Sequence, residues 1–278
     1  MTPDANQVRT YRYLRAGMVL VIVKLYAGIL IDRAQRGAFQ DSVSDYYATP
    51  VRSVFVAALV TVGACMVIIR GYIDTEDIAL NLAGLLAPIV AFVPVTGSEG
   101  VRNNVFALCA AEALGVAGSA YLIWRARHDP AILPRARARH VAGLVLAAAI
   151  VLAAYLWVRV GDASSPQGAH YTAAIALFVL IGIVVSTNAV YLESPDGWPP
   201  SRAWLRALGN RYGLIVVAMV VVPLALLIPW KGFGWRYGLF WIETALIVLF
   251  ALFWIVQTVG VGRAPPPTTR APGAAAGL

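Results

Sequence analysis

The sequence predicts an all-α integral membrane bundle of about eight transmembrane helices, with both termini in the cytoplasm. Three observations carry this. Of 278 residues, 60% are hydrophobic and only 13% charged, about half the charged share of a soluble domain. The apolar residues collect in unbroken runs of about 18–23, each long enough to cross a hydrocarbon layer of roughly 30 Å as a helix. Strands are excluded, because the runs do not alternate with period two. Lys and Arg are unevenly shared between the two sets of loops, fourteen on one side and seven on the other. The positive-inside rule places the richer side, with both termini, in the cytoplasm. The bacterial cytoplasmic membrane is the expected location.

The elements follow in order. Residues 1–12 read as a polar cytoplasmic segment, and 13–260 as the transmembrane domain. The first run, 13–31, contains Lys24 and continues into Asp32-Arg33 without a small-residue cleavage site, so a retained span is expected rather than a signal peptide. The second, 52–70, follows Thr49-Pro50, an N-cap residue before a proline suited to a first helical turn. Spans 78–95 and 104–124 come next, then the basic loop RARHDPAILPRARARH, the strongest cytoplasmic marker. Spans 140–158, 170–192, 213–230 and 237–258 complete the set. Residues 261–278, rich in Pro, Ala and Gly, read as a disordered tail. Trp198, Trp204, Trp230, Trp235 and Trp241 fall near interfaces, as belt residues do. Asn81 and Asn188 suit interhelical hydrogen bonds.

Several function classes are excluded or weakened. The net charge of +8 sits in short loops, so no nucleic-acid partner is expected; membrane lipids are. Cys65 and Cys109 lie at different depths, which argues against a disulfide. There is no Gly-rich phosphate loop, CxxC or HExxH, so no cofactor or metal site is expected.

Polar residues at lipid depth are the functional candidates. Lys24, Glu112 and Glu243 share a layer roughly 9–12 Å below the outer surface, counted at about 1.5 Å per residue. They are expected to form a buried ion pair, with a ligand or proton site as the alternative. A second group stands in DSVSDYYATPVRSVFV, where Ser44, Asp45, Tyr46 and Arg52 crowd together. His170 opens the sixth span on the same side. These residues either line one outer pocket or cap helices and anchor interfaces separately.

The strings SVSDYYATPVRSVFV, RGY, NLAGLLAPIVAFVP, HYTAAIALF, NRYG and FWIETALIVLFALFW resemble a family of uncharacterised bacterial multi-pass membrane proteins. The blocks keep the family's order over about half the chain. More remotely, the outer loop is similar to that of the DRAM-like membrane proteins. The resemblance implies recurrent polar positions at Ser44, Asp45, Tyr46, Arg52, His170, Tyr171 and Glu243. It also implies that spans four and five, with Glu112, are inserted into a six-span core.

Two readings of function follow. The first is binding or transport of a lipid-like or other amphiphilic ligand through a polar pocket near the outer leaflet. The second is an intramembrane hydrolase using Ser, Asp and His, for which only His170 is placed; a structural or accessory role is the remaining alternative. Oligomeric state is not legible.

Overall fold

The computed structural model describes residues 5–95, 100–125, 134–160, 166–193 and 206–260. Eight α-helices are present among them: α1 Ala5–Arg36, α2 Arg52–Ile68, α3 Asp74–Phe92, α4 Val101–Arg125, α5 Pro134–Val160, α6 Gln167–Glu193, α7 Arg211–Gly232 and α8 Gly238–Gly260. A short 3-10 turn, Ser44–Ala48, stands between α1 and α2. No strand occurs among the described residues. Among the described residues seven helices are long and apolar enough to cross a membrane, and the chain is a multi-pass membrane protein. The expected tail 261–278, the loop around His128, and Trp198 and Trp204 lie outside the described residues.

α2 is the exception, at 17 residues, or about 25 Å at 1.5 Å per residue. It ends two residues before the expected boundary because Ile69 turns extended. The loop that follows is held by acids of the next helix. Gly71 N–H donates to Asp77 at 3.1 Å and Tyr72 N–H to Glu76 Oε2 at 2.7 Å. Consequently α3 starts at Asp74, earlier than expected. Its first turn holds Asp74, Glu76 and Asp77, where negative charge meets the positive end of the helix dipole.

Six helices form a closed ring in the order α1, α2, α3, α6, α7, α8, with α8 returning to α1. The α4–α5 pair packs outside this ring against α3. The backbones of α2 and α3 approach closely where Gly63 meets Gly84. A Cβ at Gly63 would lie 2.8 Å from the Gly84 carbonyl oxygen. Small residues at such a crossing let helices approach closely where lipid offers no hydrophobic drive. The core runs along the ring interior, with Met18, Met66, Leu80, Val185, Phe253 and Trp254 almost completely buried. Cys65 and Cys109 are free and buried.

The ring has two distinguishable ends. Val93, at the C-terminus of α3, meets His170 near the start of α6, and the 3-10 turn meets the start of α8; this is the loop end. Arg15 near the start of α1 lies over Trp254 near the end of α8, so the described termini share the opposite, terminal end.

Candidate functional site

The loop-end site is assembled from the 38–48 segment and three helices. Its foundation is a clamp on α8. Phe240 N–H donates to the Asp41 carbonyl at 3.0 Å, and Arg236 pairs with Asp41 at 2.7 Å. Phe39 stacks on Phe240 with centroids 4.7 Å apart, and Arg33 lies 4.6 Å over the Phe39 ring. Tyr46 is fully buried against Phe240, and its hydroxyl accepts from Gln40 N–H at 3.4 Å. Burial raises the Tyr46 phenol above its ordinary pKa.

Within this frame Ser42 Oγ accepts the Asp45 N–H at 3.0 Å, the side-chain turn that Ser favours in loops. The turn directs two backbone N–H groups at one carboxylate oxygen. Val43 N–H donates to Glu243 Oε2 at 2.5 Å and Ser44 N–H donates to the same atom at 3.2 Å. Ser44 Oγ donates to Glu243 Oε1 at 3.0 Å. On its other side Ser44 Oγ is 2.9 Å from His170 Nε2, and His170 Nδ1 is 2.6 Å from the Val93 carbonyl oxygen. The result is a continuous chain, Glu243–Ser44–His170–Val93. Ser44 and His170 are buried, and Glu243 is half-buried.

The chemistry of this chain follows from counting protons. A carbonyl only accepts, so Nδ1 must carry hydrogen. Two arrangements then satisfy every contact with the same total. In one, His170 is an imidazolium, Nε2–H donates to Ser44, and Ser44 donates to the Glu243 carboxylate. In the other, Glu243 is protonated and donates to Ser44, which donates to neutral His170. They differ by one proton passed across the Ser44 hydroxyl, so the array can relay a proton between α6 and α8.

The sequence candidates divide accordingly. Ser44, His170 and Glu243 are brought together. Tyr171 stands beside them, edge-on to His170 at 5.7 Å. Asp45 contributes its backbone N–H to the turn, and no hydrogen bond or ion pair of its carboxylate occurs among the described residues. Tyr46 is a packing residue. Arg52 does not join the pocket: its guanidinium donates to the Tyr47 hydroxyl at 2.5 Å and lies 4.1 Å over that ring. Thr49 sits too early to cap α2. It accepts Val51 N–H, and the helix begins one residue later, at Arg52.

The expected ion pair of Lys24 with Glu112 or Glu243 is not formed. Lys24 is exposed on the ring's outer surface, and Glu243 is held by Val43 and Ser44. Glu112 is buried on α4 with neither oxygen hydrogen-bonded, outside the ring and away from both. Equal depth does not bring side chains together when they face different neighbours. Asn81 bonds within its own helix, to the Asp77 carbonyl, whereas Asn188 reaches Glu76 of α3 at 2.7 Å. The sequence reading missed Val43 and the Val93 carbonyl, which act through backbone atoms. Glu76 and Gln257 were missed too, although an acid or amide near a span end was a visible signal.

A cleft of about 830 Å³ opens between α6, α7 and α8. Its walls are apolar, with Phe178, Ile183, Met219 and Leu246 among them, and its loop end carries Gln167, Tyr171, Lys231 and Glu243. On α6 it extends from Gln167 to Ser186, roughly 28 Å of helix at 1.5 Å per residue. Glu243 thus belongs to both the proton chain and the cleft. A second cavity of about 710 Å³ lies between α4 and α5, lined by Phe106, Cys109, Val151 and Tyr155, and is almost wholly apolar.

No family model, curated protein or solved structure matches the chain.

Proposed function

We propose that this protein binds a lipid-like amphiphile in the α6–α7–α8 cleft, in a bacterial cytoplasmic membrane with both termini inside. The observation that carries the reading is the cleft's polarity gradient. Apolar walls extend over nearly a bilayer's hydrocarbon thickness and end on Gln167, Tyr171, Lys231 and Glu243. Its volume falls in the range of small-molecule sites, and its polar end suits a headgroup carrying both donors and acceptors. With the loop end outward, that headgroup stands at the outer leaflet.

The test is to fill the cleft without disturbing the fold. Gly182 lines it, and a Cβ there meets nothing within 4 Å, so Gly182→Phe projects a ring into open space. Native mass spectrometry of gently extracted wild type is expected to retain one lipid per chain. The variant is expected to lose it at an unchanged melting temperature. Equal lipid retention by both rejects the reading.

Hydrolysis is the second reading, favoured by Ser44 Oγ lying 2.9 Å from His170 Nε2. Against it, Glu243 occupies the Val43 and Ser44 N–H pair that an acyl oxyanion would need. A fluorophosphonate adduct on Ser44 in purified protein decides for the enzyme; an unmodified Ser44 decides for binding.

A further inference from the structure

At the terminal end of the ring, about 27 Å along α6 from His170 at 1.5 Å per residue, a second polar cluster is buried. We propose that it is an oxyanion site built on Arg15 that takes a phosphate group, free or carried by a lipid headgroup. α1 supplies Arg15, α3 Glu76, α6 Asn188, and α8 Trp254 and Gln257. All five are buried, with Arg15 only 4% exposed.

The hydrogen bonds in this cluster are unequally shared. Gln257 Nε2 donates to Asn188 Oδ1 at 2.9 Å, and Asn188 Nδ2 donates to Glu76 Oε1 at 2.7 Å. Glu76 Oε2 accepts the Tyr72 N–H. The one acid and the two amides are therefore committed to one another, and Glu76 feels the Arg15 charge without a direct ion pair to it. Arg15 lies over the Trp254 ring at 5.8 Å. Among the described residues its Nε and Nη1 have no acceptor, and neither has the indole Nε1 of Trp254. Against these three donor atoms stands one unpartnered acceptor, Gln257 Oε1. Two guanidinium nitrogens and an indole N–H against one free acceptor leave the buried cluster with an excess of donors, which is unfavourable, so it suits a ligand rich in acceptors and negatively charged.

Phosphate fits this inventory better than other oxyanions. It offers several acceptor oxygens to donors on two helices, and as a monoanion it also carries hydroxyls for Gln257 Oε1. Sulfate has the same shape without the hydroxyl. The rim favours anion entry: Arg9 and Arg12 of α1 and Arg211 of α7 are exposed, with Arg211 held over Tyr212 at 5.0 Å. Such local positive potential concentrates anions.

The experiment uses the full chain in phosphatidylcholine nanodiscs. Calorimetric titration with inorganic phosphate tests the free anion, and native mass spectrometry after doping with phosphatidic acid tests the headgroup. One ligand per chain is expected from at least one probe, with sulfate binding roughly tenfold weaker than phosphate, as for one lost hydrogen bond. Arg15→Lys and Trp254→Phe are each expected to weaken the binding probe about tenfold or more; the second keeps the ring, so it serves if the first fails to fold. Gly182→Phe is expected to leave phosphate and phosphatidic acid binding at this site unmoved while it abolishes lipid retention in the cleft, which separates the two sites. Phosphate alone binding identifies a free anion, and phosphatidic acid alone a lipid. Binding of neither, or affinities unmoved in Trp254→Phe, overturns the proposal.

Discussion

Ser44 is the residue on which the loop-end site turns, because one hydroxyl serves both Glu243 and His170. Ser44→Ala strands the buried Nε2 of His170, worth about 1–3 kcal/mol when left unpaired, and takes one partner from the half-buried Glu243. A clear drop in melting temperature, read by near-ultraviolet circular dichroism in detergent, is expected. Glu243→Gln should behave oppositely. Its carbonyl oxygen still accepts the two N–H groups and its amide still donates to Ser44, so stability stays within about 1 kcal/mol of wild type while the transferable proton is gone. If the two variants melt alike, the chain of hydrogen bonds is not what holds this corner. Tyr46 gives the pH dependence. Its phenol is raised by burial above its ordinary value near 10, so the folded protein binds more protons than the unfolded chain once pH exceeds that value. Its contribution is full below about pH 10 and declines as pH rises through the folded pKa. Tyr46→Phe, which keeps the ring against Phe240, is expected to flatten the alkaline limb of a melting-temperature profile; an unchanged limb contradicts this. At this scale the sequence was informative about residue types and blind to partners. Ser44, His170 and Glu243 were legible as polar groups in an apolar chain. Their order of contact was not, because Val43 N–H and Val93 C=O are backbone atoms and look alike at every position.

At the scale of elements, the span pattern was legible because hydrocarbon thickness fixes helix length. Boundaries were less so. Asp74, Glu76 and Asp77 look like loop residues by hydropathy but form the first turn of α3, where the helix dipole favours them. Facing was legible least. Lys24, Glu112 and Glu243 were expected at one depth, but depth along an axis says nothing about rotation around it. The α2–α3 crossing makes a sharper demand than any pattern of hydropathy. A Cβ on Gly84 would come 2.5 Å from Val67 Cγ2 and 2.8 Å from the Gly63 carbonyl oxygen, and the latter is backbone that cannot step aside. Gly84→Ala is expected to cost about 1–3 kcal/mol by forcing the helices apart. Gly115→Ala, on open α4 surface, should be neutral or slightly stabilising. Equal melting temperatures for the two would show that the close approach is not needed.

For the whole molecule, orientation rests on the arginine asymmetry and can be read directly. Cys65 and Cys109 are buried, so background labelling is low. An impermeant maleimide on intact cells should modify a cysteine introduced at Gln40, on the loop end, and spare one introduced at Asn6. The reverse pattern inverts the topology. The charge count gives an expected orientation, but nothing in composition told which helices neighbour one another, since ring order depends on side-chain shape along every interface.

The contact between Val93 and His170 joins residues 77 apart in sequence. The helices between them, α4 and α5, lie outside the ring, and α6 rejoins it beside the point where α3 ends. In engineering terms the hairpin is a cassette with both ends in the same socket. Joining Val95 to Pro166 through a short Gly-Ser linker should therefore give a six-helix protein that still retains lipid in the α6–α7–α8 cleft by native mass spectrometry. It would lose the pairing of Arg139 with Asp74, an exposed contact worth little, and the packing of α4 and α5 on α3, where Ile78 meets Gly143. A shortened chain that cannot be extracted folded would mean the hairpin is part of the frame, and the socket only a coincidence of the path.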